Sequence, residues 1–194
     1  MLTLWKSLVI PHLDYCSQLW SPQEQGLIQS IENVQKSFTR QIANMKQFNY
    51  WERLRELKLY SLQRRRERYV IIYTWCIIEN LVPNIGYVED GIEKGGISQY
   101  INDRQGRKCV IPLVCRGTYQ RRVYASIRMQ GPKLFNSLPK DLRNIKNCSK
   151  EVFKRKLDKY LSTVPDEPLI SSYTYFRRAE SNSITHMKSL VSTR

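Results

Sequence analysis

Apolar residues recur at steps of three and four over most of the first eighty positions, and this pattern predicts a succession of helices. Residues 2–20 carry Trp5, Leu8, Val9, Cys16, Leu19 and Trp20 on one stripe. A kink is expected at Pro11, which has no amide hydrogen to donate. Ser21-Pro22-Gln23-Glu24 reads as a second helix start, with Ser21 as N-cap and Glu24 completing a capping box. Behind it Leu27, Ile28, Ile31, Val34, Phe38, Ile42 and Met45 trace a narrow apolar seam, as in a helix packed antiparallel against the first. Asn49 and Glu52 mark a shorter third helix over 49–57.

The stretch 61–81, SLQRRRERYVIIYTWCIIENL, organises the rest. Leu62, Tyr69, Tyr73, Cys76 and Leu81 recur at helical spacing, and Pro83 lies just beyond. One long helix is expected. Its second half is apolar and should be wrapped by other helices. Its first half carries four arginines toward an acidic partner, or else is a basic turn that is merely solvated, as charge runs commonly are.

Past Pro83 the periodicity breaks. Gly86, Gly91, Gly95 and Gly96 indicate a connecting loop up to about residue 102. Residues 109–115 and 123–129 read as two short strands joined around Gly117. Gly131-Pro132 opens a short helix with Leu134, Phe135 and Leu138, and Pro139 closes it. Ser149 caps a last helix with Phe153, Leu157, Tyr160 and Leu161 on its apolar face. The expected fold is therefore mainly α. A helical bundle covers 1–83 and a linker 84–103. A basic α+β segment with a β-hairpin covers 104–161, and a mobile Ser/Thr-rich tail 162–194.

Charge changes this picture. The 194 residues include 32 Lys+Arg against 17 Asp+Glu, a net charge of +15. That excess points to an anionic partner, with nucleic acid first and an anionic membrane surface second. The longest apolar run is about half of the roughly twenty residues that span a bilayer, so no membrane insertion is expected, and no signal peptide either. Five scattered cysteines fit reduced thiols in an intracellular protein, nuclear or cytoplasmic.

Reactive chemistry finds little support. Glu89-Asp90 falls in the Gly-rich stretch, Asp166-Glu167 in the tail, and Asp14 and Asp103 stand alone. None forms the converging pair that two-metal phosphoryl transfer needs. Cys109 and Cys115 are too far apart for a zinc knuckle, and His12 and His186 are remote from them. No cofactor, metal or catalytic residue is expected. What remains is a basic segment interleaved with Tyr100, Tyr119 and Tyr124. Its candidates for phosphate contact are Arg104, Arg107, Lys108, Arg116, Arg121, Arg122, Arg128 and Lys133.

Three strings carry a resemblance: LWKSLVIPHLDYCSQLWSP, then IENVQKSFTRQI, then YWERLRELKLYSLQRRRER. They resemble the region after the catalytic palm in non-LTR retrotransposon reverse transcriptases of the jockey type, the region corresponding to the thumb. RVYASIRMQGPKLFNSLPKDLRN, followed by SKEVFKRKLDKYL, resembles the C-terminal segment of the same polyproteins. The likeness covers residues 2–161. It implies descent from an RNA-directed DNA polymerase whose thumb, a helical bundle, holds a template-primer duplex. By that likeness Arg64, Arg65, Arg66 and Arg68 are candidates for contact with the RNA or DNA backbone. The family's paired-aspartate palm motif, fingers and endonuclease are absent from this sequence, so nucleic-acid binding is expected and catalysis is not. A separate palm is a further partner that the likeness allows. The competing expectation is a helical protein-interaction module, or a remnant without selected function, with a sticky apolar patch around Trp5, Trp20 and Trp51.

Overall fold

A computed structural model describes residues 1–22, 24–83, 87–89, 92–94, 100–104, 106–111, 127–168 and 181–187. The protein is mainly α. It divides into two compact units, one of residues 1–67 with 165–194, the other of residues 68–164. The division falls inside the long helix and not at Pro83. Residues 165–168 and 181–187, expected in a mobile tail, are folded parts of the first unit, with Asn182, Ile184 and Met187 buried.

The first unit opens with α1 (Leu2–Leu4), a π-helical stretch Trp5–Val9 and α2 (Ile10–Asp14). The Pro11 ring would crowd the carbonyl of Ser7 in a regular α-helix. The widened π turn, in which the Ile10 amide reaches back to the Trp5 carbonyl, lies directly before it. The helix stops at Cys16, which sits at φ +50° and separates α3 (Ser17–Trp20). Ser21 is thus the C-cap of α3 and not the N-cap of the next helix. α4 (Gln25–Arg40) starts from Glu24 without a side-chain cap. α5 (Tyr50–Glu56) has the capping box expected of Asn49 and Glu52.

The apolar seam expected on α4 is only partly buried. Leu27 and Val34 are exposed, while the inward stripe is Ile28, Glu32, Gln35 and Thr39. This polar stripe is buried because Glu32 meets a helix start, Gln35 the Tyr50 hydroxyl and Thr39 the Arg53 guanidinium. Trp5 stacks on Phe38 with ring centroids 4.3 Å apart, and Ile10 and Leu62 close the cluster.

The helix start that meets Glu32 is that of α6 (Leu62–Ile78), whose residues 62–67 lie in the first unit. The amides of Leu62 and Gln63 donate to the two oxygens of Glu32 at 3.0 and 3.3 Å. The Arg64 amide donates to Ser61 Oγ at 3.0 Å, and the Arg65 amide to the Ser61 carbonyl at 2.9 Å. The Arg65 bond is the first of the helix ladder itself, and with the Ser61 amide held by Asp166 all four orphan donors of the helix start are satisfied. Tyr50 donates its hydroxyl to Glu32, and Gln35 Nε2 donates to Tyr50 and to the Tyr60 carbonyl. Asp166 accepts from the amide and hydroxyl of Ser61 at 2.8 Å each.

Among the described residues, the second unit holds the remainder of α6, two antiparallel hairpins and three helices. Strands β1 (Tyr87–Glu89) and β2 (Ile92–Lys94) pair with Glu89 opposite Ile92. Strands β3 (Tyr100–Asp103) and β4 (Gly106–Cys109) pair with Asp103 opposite Gly106. Both hairpins fall largely where a loop was expected. In the sequence, Asp-Gly at 90–91 is a hairpin signal that the glycine count obscured. The expected turn at Gly117 lies outside the described residues.

Residues 127–129, expected as strand, are the first turn of α7 (Ile127–Ser137), which carries Pro132 inside it and does not begin there. α8 (Lys140–Arg143) and α9 (Lys150–Leu161) follow, the latter N-capped by Ser149 as expected. The core is Trp75, stacked on Phe153 at 4.4 Å, with Ile71, Phe135, Leu138, Leu157 and Leu161 around it. Asn136 of α7 lays its amide against β4. Its Oδ1 accepts from the Cys109 amide and its Nδ2 donates to the Cys109 carbonyl, both at 2.8 Å. Gly106 has φ +88°, and a Cβ there would lie 2.7 Å from Asn144 Oδ1. That oxygen already accepts the Arg107 amide.

Two outcomes follow. Trp75→Ala removes a fully buried indole and should cost about 3–5 kcal/mol, read by urea unfolding. Burial also raises the pKa of Glu67, against the donated bonds of Ile184 and Ser183. The folded chain then binds this proton more tightly than the unfolded chain. Its stabilising effect is present at acid pH and fades as pH rises past the ordinary carboxylate value. Glu67→Gln should gain stability relative to the parent between pH 4 and pH 7, and a difference that stays flat across that range contradicts the assignment.

Candidate nucleic-acid interface

The arginines of α6 do not form a displayed row. Arg64 is fully buried. Its Nη2 donates to the carbonyls of Pro165 at 2.6 Å and Asn182 at 3.3 Å, and its Nε lies 3.6 Å from Asp166. Arg65 pairs with Asp14 at 2.7 Å. Arg66 is buried, and its three guanidinium nitrogens meet no hydrogen-bond partner among the described residues. Burial pushes its pKa down, while the charges of Glu32, Glu67 and Asp14 pull it back up. Arg68, in the second unit, grips Asp158 through two bonds of 2.5 and 2.7 Å. Arg64, Arg65 and Arg68 are thus engaged in ion pairs within the fold, and Arg64 and Arg66, expected as phosphate contacts, are buried. Their partners Asp14, Asp158 and Asp166 lie far away in sequence, so the linear run of charge concealed the pairing.

In the basic segment the outcome is mixed. Arg107, expected on the surface, is buried and bonds Glu79 at 2.6 Å, the Arg143 carbonyl at 2.8 Å and the Ile145 carbonyl. It braces the end of α6 to the 143–147 turn, where Asn147 donates its amide to the same Glu79. Lys108 and Lys133 are half-buried. Arg104 is exposed. Arg128 lies in α7. Arg116, Arg121 and Arg122 lie outside the described residues.

The first unit contains a basic concavity that the periodicity did not single out. A groove of about 740 Å³ runs along α4 from Gln29 to Arg40 and is closed by the 46–53 segment. Lys36, Arg40 and Lys46 are exposed on its walls. Phe48 is half-buried and Trp51 buried in it, and its acidic residue is Glu167, which pairs with Arg55 at 3.3 Å.

Arg53 forms the floor. Its guanidinium donates to Thr39 Oγ1 at 3.1 Å, to the Phe48 carbonyl at 2.7 Å and to the Lys36 carbonyl at 3.3 Å. It thereby ties the connecting segment to the last turns of α4. Burial pushes the Arg53 pKa down, opposed by Tyr50 and reinforced by the positive charge of Arg40. Like charges are thus crowded at this site. Residues 36, 40 and 46 could have been found as Lys and Arg at steps of four and six ahead of Phe48 and Trp51. The clustering depends on the 41–49 turn, which periodicity does not predict.

Burial pushes the Cys109 thiol up to about 12 and raises that of Cys76 as well, so both stay protonated. No group of three or more His, Cys, Asp or Glu among the described residues could hold a metal ion. No helix there is long and apolar enough to cross a membrane.

Comparison with protein-family models, curated proteins and solved structures yields no match.

The pairing pattern has a direct consequence. Arg64→Ala should destabilise the chain by about 3–5 kcal/mol by leaving buried partners unmatched. Lys46→Ala, on the groove wall, should change stability by no more than about 0.5 kcal/mol. Thermal unfolding of the two variants distinguishes them.

Proposed function

We propose that this chain holds nucleic acid by its backbone, without reading sequence and without a reactive centre of its own. The observation that carries this reading is the groove in the first unit, where Lys36, Arg40 and Lys46 face one acid that is itself paired. Phosphate oxygens would replace solvent and counterions around these cations, and the released ions would drive binding. The excess of 32 basic over 17 acidic residues would draw a polyanion toward the chain from a distance.

The resemblance to the thumb and following segment of non-LTR retrotransposon reverse transcriptases supports the same reading. On that reading the chain descends from an RNA-directed DNA polymerase and contributes grip rather than catalysis. Its setting would be the nucleus or the cytoplasm, where RNA and DNA are met.

A second reading, a protein-docking module, draws on the exposed apolar side chains of the first unit. Leu4 and Leu8 stand one turn apart, and Leu27 and Val34 two turns apart on α4. A palm-bearing polymerase chain is the partner that the resemblance implies. Dimerisation of purified protein with no affinity for RNA or DNA would favour this second reading.

Salt titration tests the first. Observed affinity for a DNA duplex, followed by fluorescence anisotropy, should fall steeply with ionic strength. Reversing Lys36, Arg40 and Lys46 to Glu should make the log–log slope shallower by roughly 2–3, as expected for about three lost phosphate contacts. An unchanged slope would place the contact elsewhere.

A further inference from the structure

We infer that the groove of the first unit takes a short single-stranded segment in preference to duplex, with phosphates on its cationic walls and a base against Phe48. This rests on the nucleic-acid reading above and narrows it to a substrate class.

Shape is the first argument. The groove encloses about 740 Å³. That lies within the range of about 300–1,000 Å³ typical of sites that surround a small organic ligand, enough for about one or two nucleotides. A duplex presents its phosphates on a convex surface with the bases stacked inside, so its backbone would touch the rim and leave the interior empty. A single strand can put both phosphate and base into the concavity.

The lining is the second argument. A site for a stacked duplex backbone needs cations alone. This one adds an aromatic side chain, Phe48, that is neither fully exposed nor fully buried, between Lys46 and the capped start of α5. Base stacking on an aromatic face is sequence-tolerant because every base has a π-face. On the α4 side, Gln29 Nε2 donates to Asn33 Oδ1 at 3.2 Å, leaving Gln29 Oε1 and Asn33 Nδ2 to meet a base edge. Unstacked edges of that kind are offered by single strands and not by the interior of a helix.

Rigidity is the third. Arg53 fixes the Phe48 carbonyl to α4, and Asn49 and Glu52 bond one another's amides at 2.9 and 2.7 Å. Phe48 is held from both sides of its own backbone, so its ring is positioned before any ligand arrives.

The experiment uses the full chain and three labelled probes of equal charge: a dodecamer of thymidylate, an abasic dodecamer, and a short duplex. Anisotropy at fixed salt should show the thymidylate strand binding at least about fivefold more tightly than the abasic strand, and more tightly than the duplex. Phe48→Ala should abolish the gap between thymidylate and abasic strands while leaving abasic binding unchanged. Phe48→Leu, which retains apolar contact, should do the same if the alanine variant is unstable. Equal binding of the thymidylate and abasic strands, or duplex binding as tight as strand binding, overturns the inference while the backbone reading stands. Failure of all three probes to bind removes both. Salt-dependent binding that survives Phe48→Leu with the gap intact shows that the base sits elsewhere, and also overturns it.

Discussion

A helix beginning inside a protein must bring hydrogen-bond acceptors with it, and the start of α6 meets that demand with carboxylates from elsewhere in the chain. Glu32 takes the first two amides, while Asp166 holds the capping Ser61 by both its amide and its hydroxyl. A negative side chain at this end also opposes the positive pole of the helix. Burial raises the Glu32 pKa even though the Tyr50 hydroxyl and the Leu62 amide pull it down, so the site works against a desolvation cost. Tyr50, Gln35 and Asn182 then share the remaining lone pairs and protons. Few substitutions within this network could be neutral, since each leaves a buried donor or acceptor unmatched.

The same economy governs the cations. A net charge of +15 suggests an array of free positive groups, but the structure sorts them by location. Arginine, with five donors in a planar fork, suits carbonyl clusters and carboxylate pairs inside a protein. Arg53, Arg64, Arg107 and Arg143 each bond one or more main-chain carbonyls. Lysine, a strongly hydrated point charge, stays outside, as at Lys36, Lys46 and along the outer face of α9. Those four guanidinium groups brace turns and helix ends, while the ammonium groups of Lys36 and Lys46 stand exposed.

Local signals in the sequence were reliable where their cause is local. Asn49 with Glu52, Ser149 before α9, and Leu62 to Ile78 as one helix all depend on neighbours within a few residues. The misreadings have the opposite character. Glu32, Gln35 and Thr39 were not part of the expected seam of α4, because the partners that draw them inward are 14 to 31 positions away. Asp166 looked like part of a loose tail because the helix start it serves is 105 positions earlier. The groove follows the same rule. Its cations are visible in the sequence, but their convergence requires the turn after α4 and the Arg53 clamp.

The contact between Asn136 and Cys109 has an effect beyond holding α7 to β4. A two-stranded ribbon has an outer edge of unpaired peptide groups, and such an edge invites pairing with another chain. By taking both the donor and the acceptor of Cys109, the carboxamide imitates one residue of a neighbouring strand without continuing into one. The GPKLFNSLP string thus terminates the ribbon at this residue and denies another polypeptide that rung.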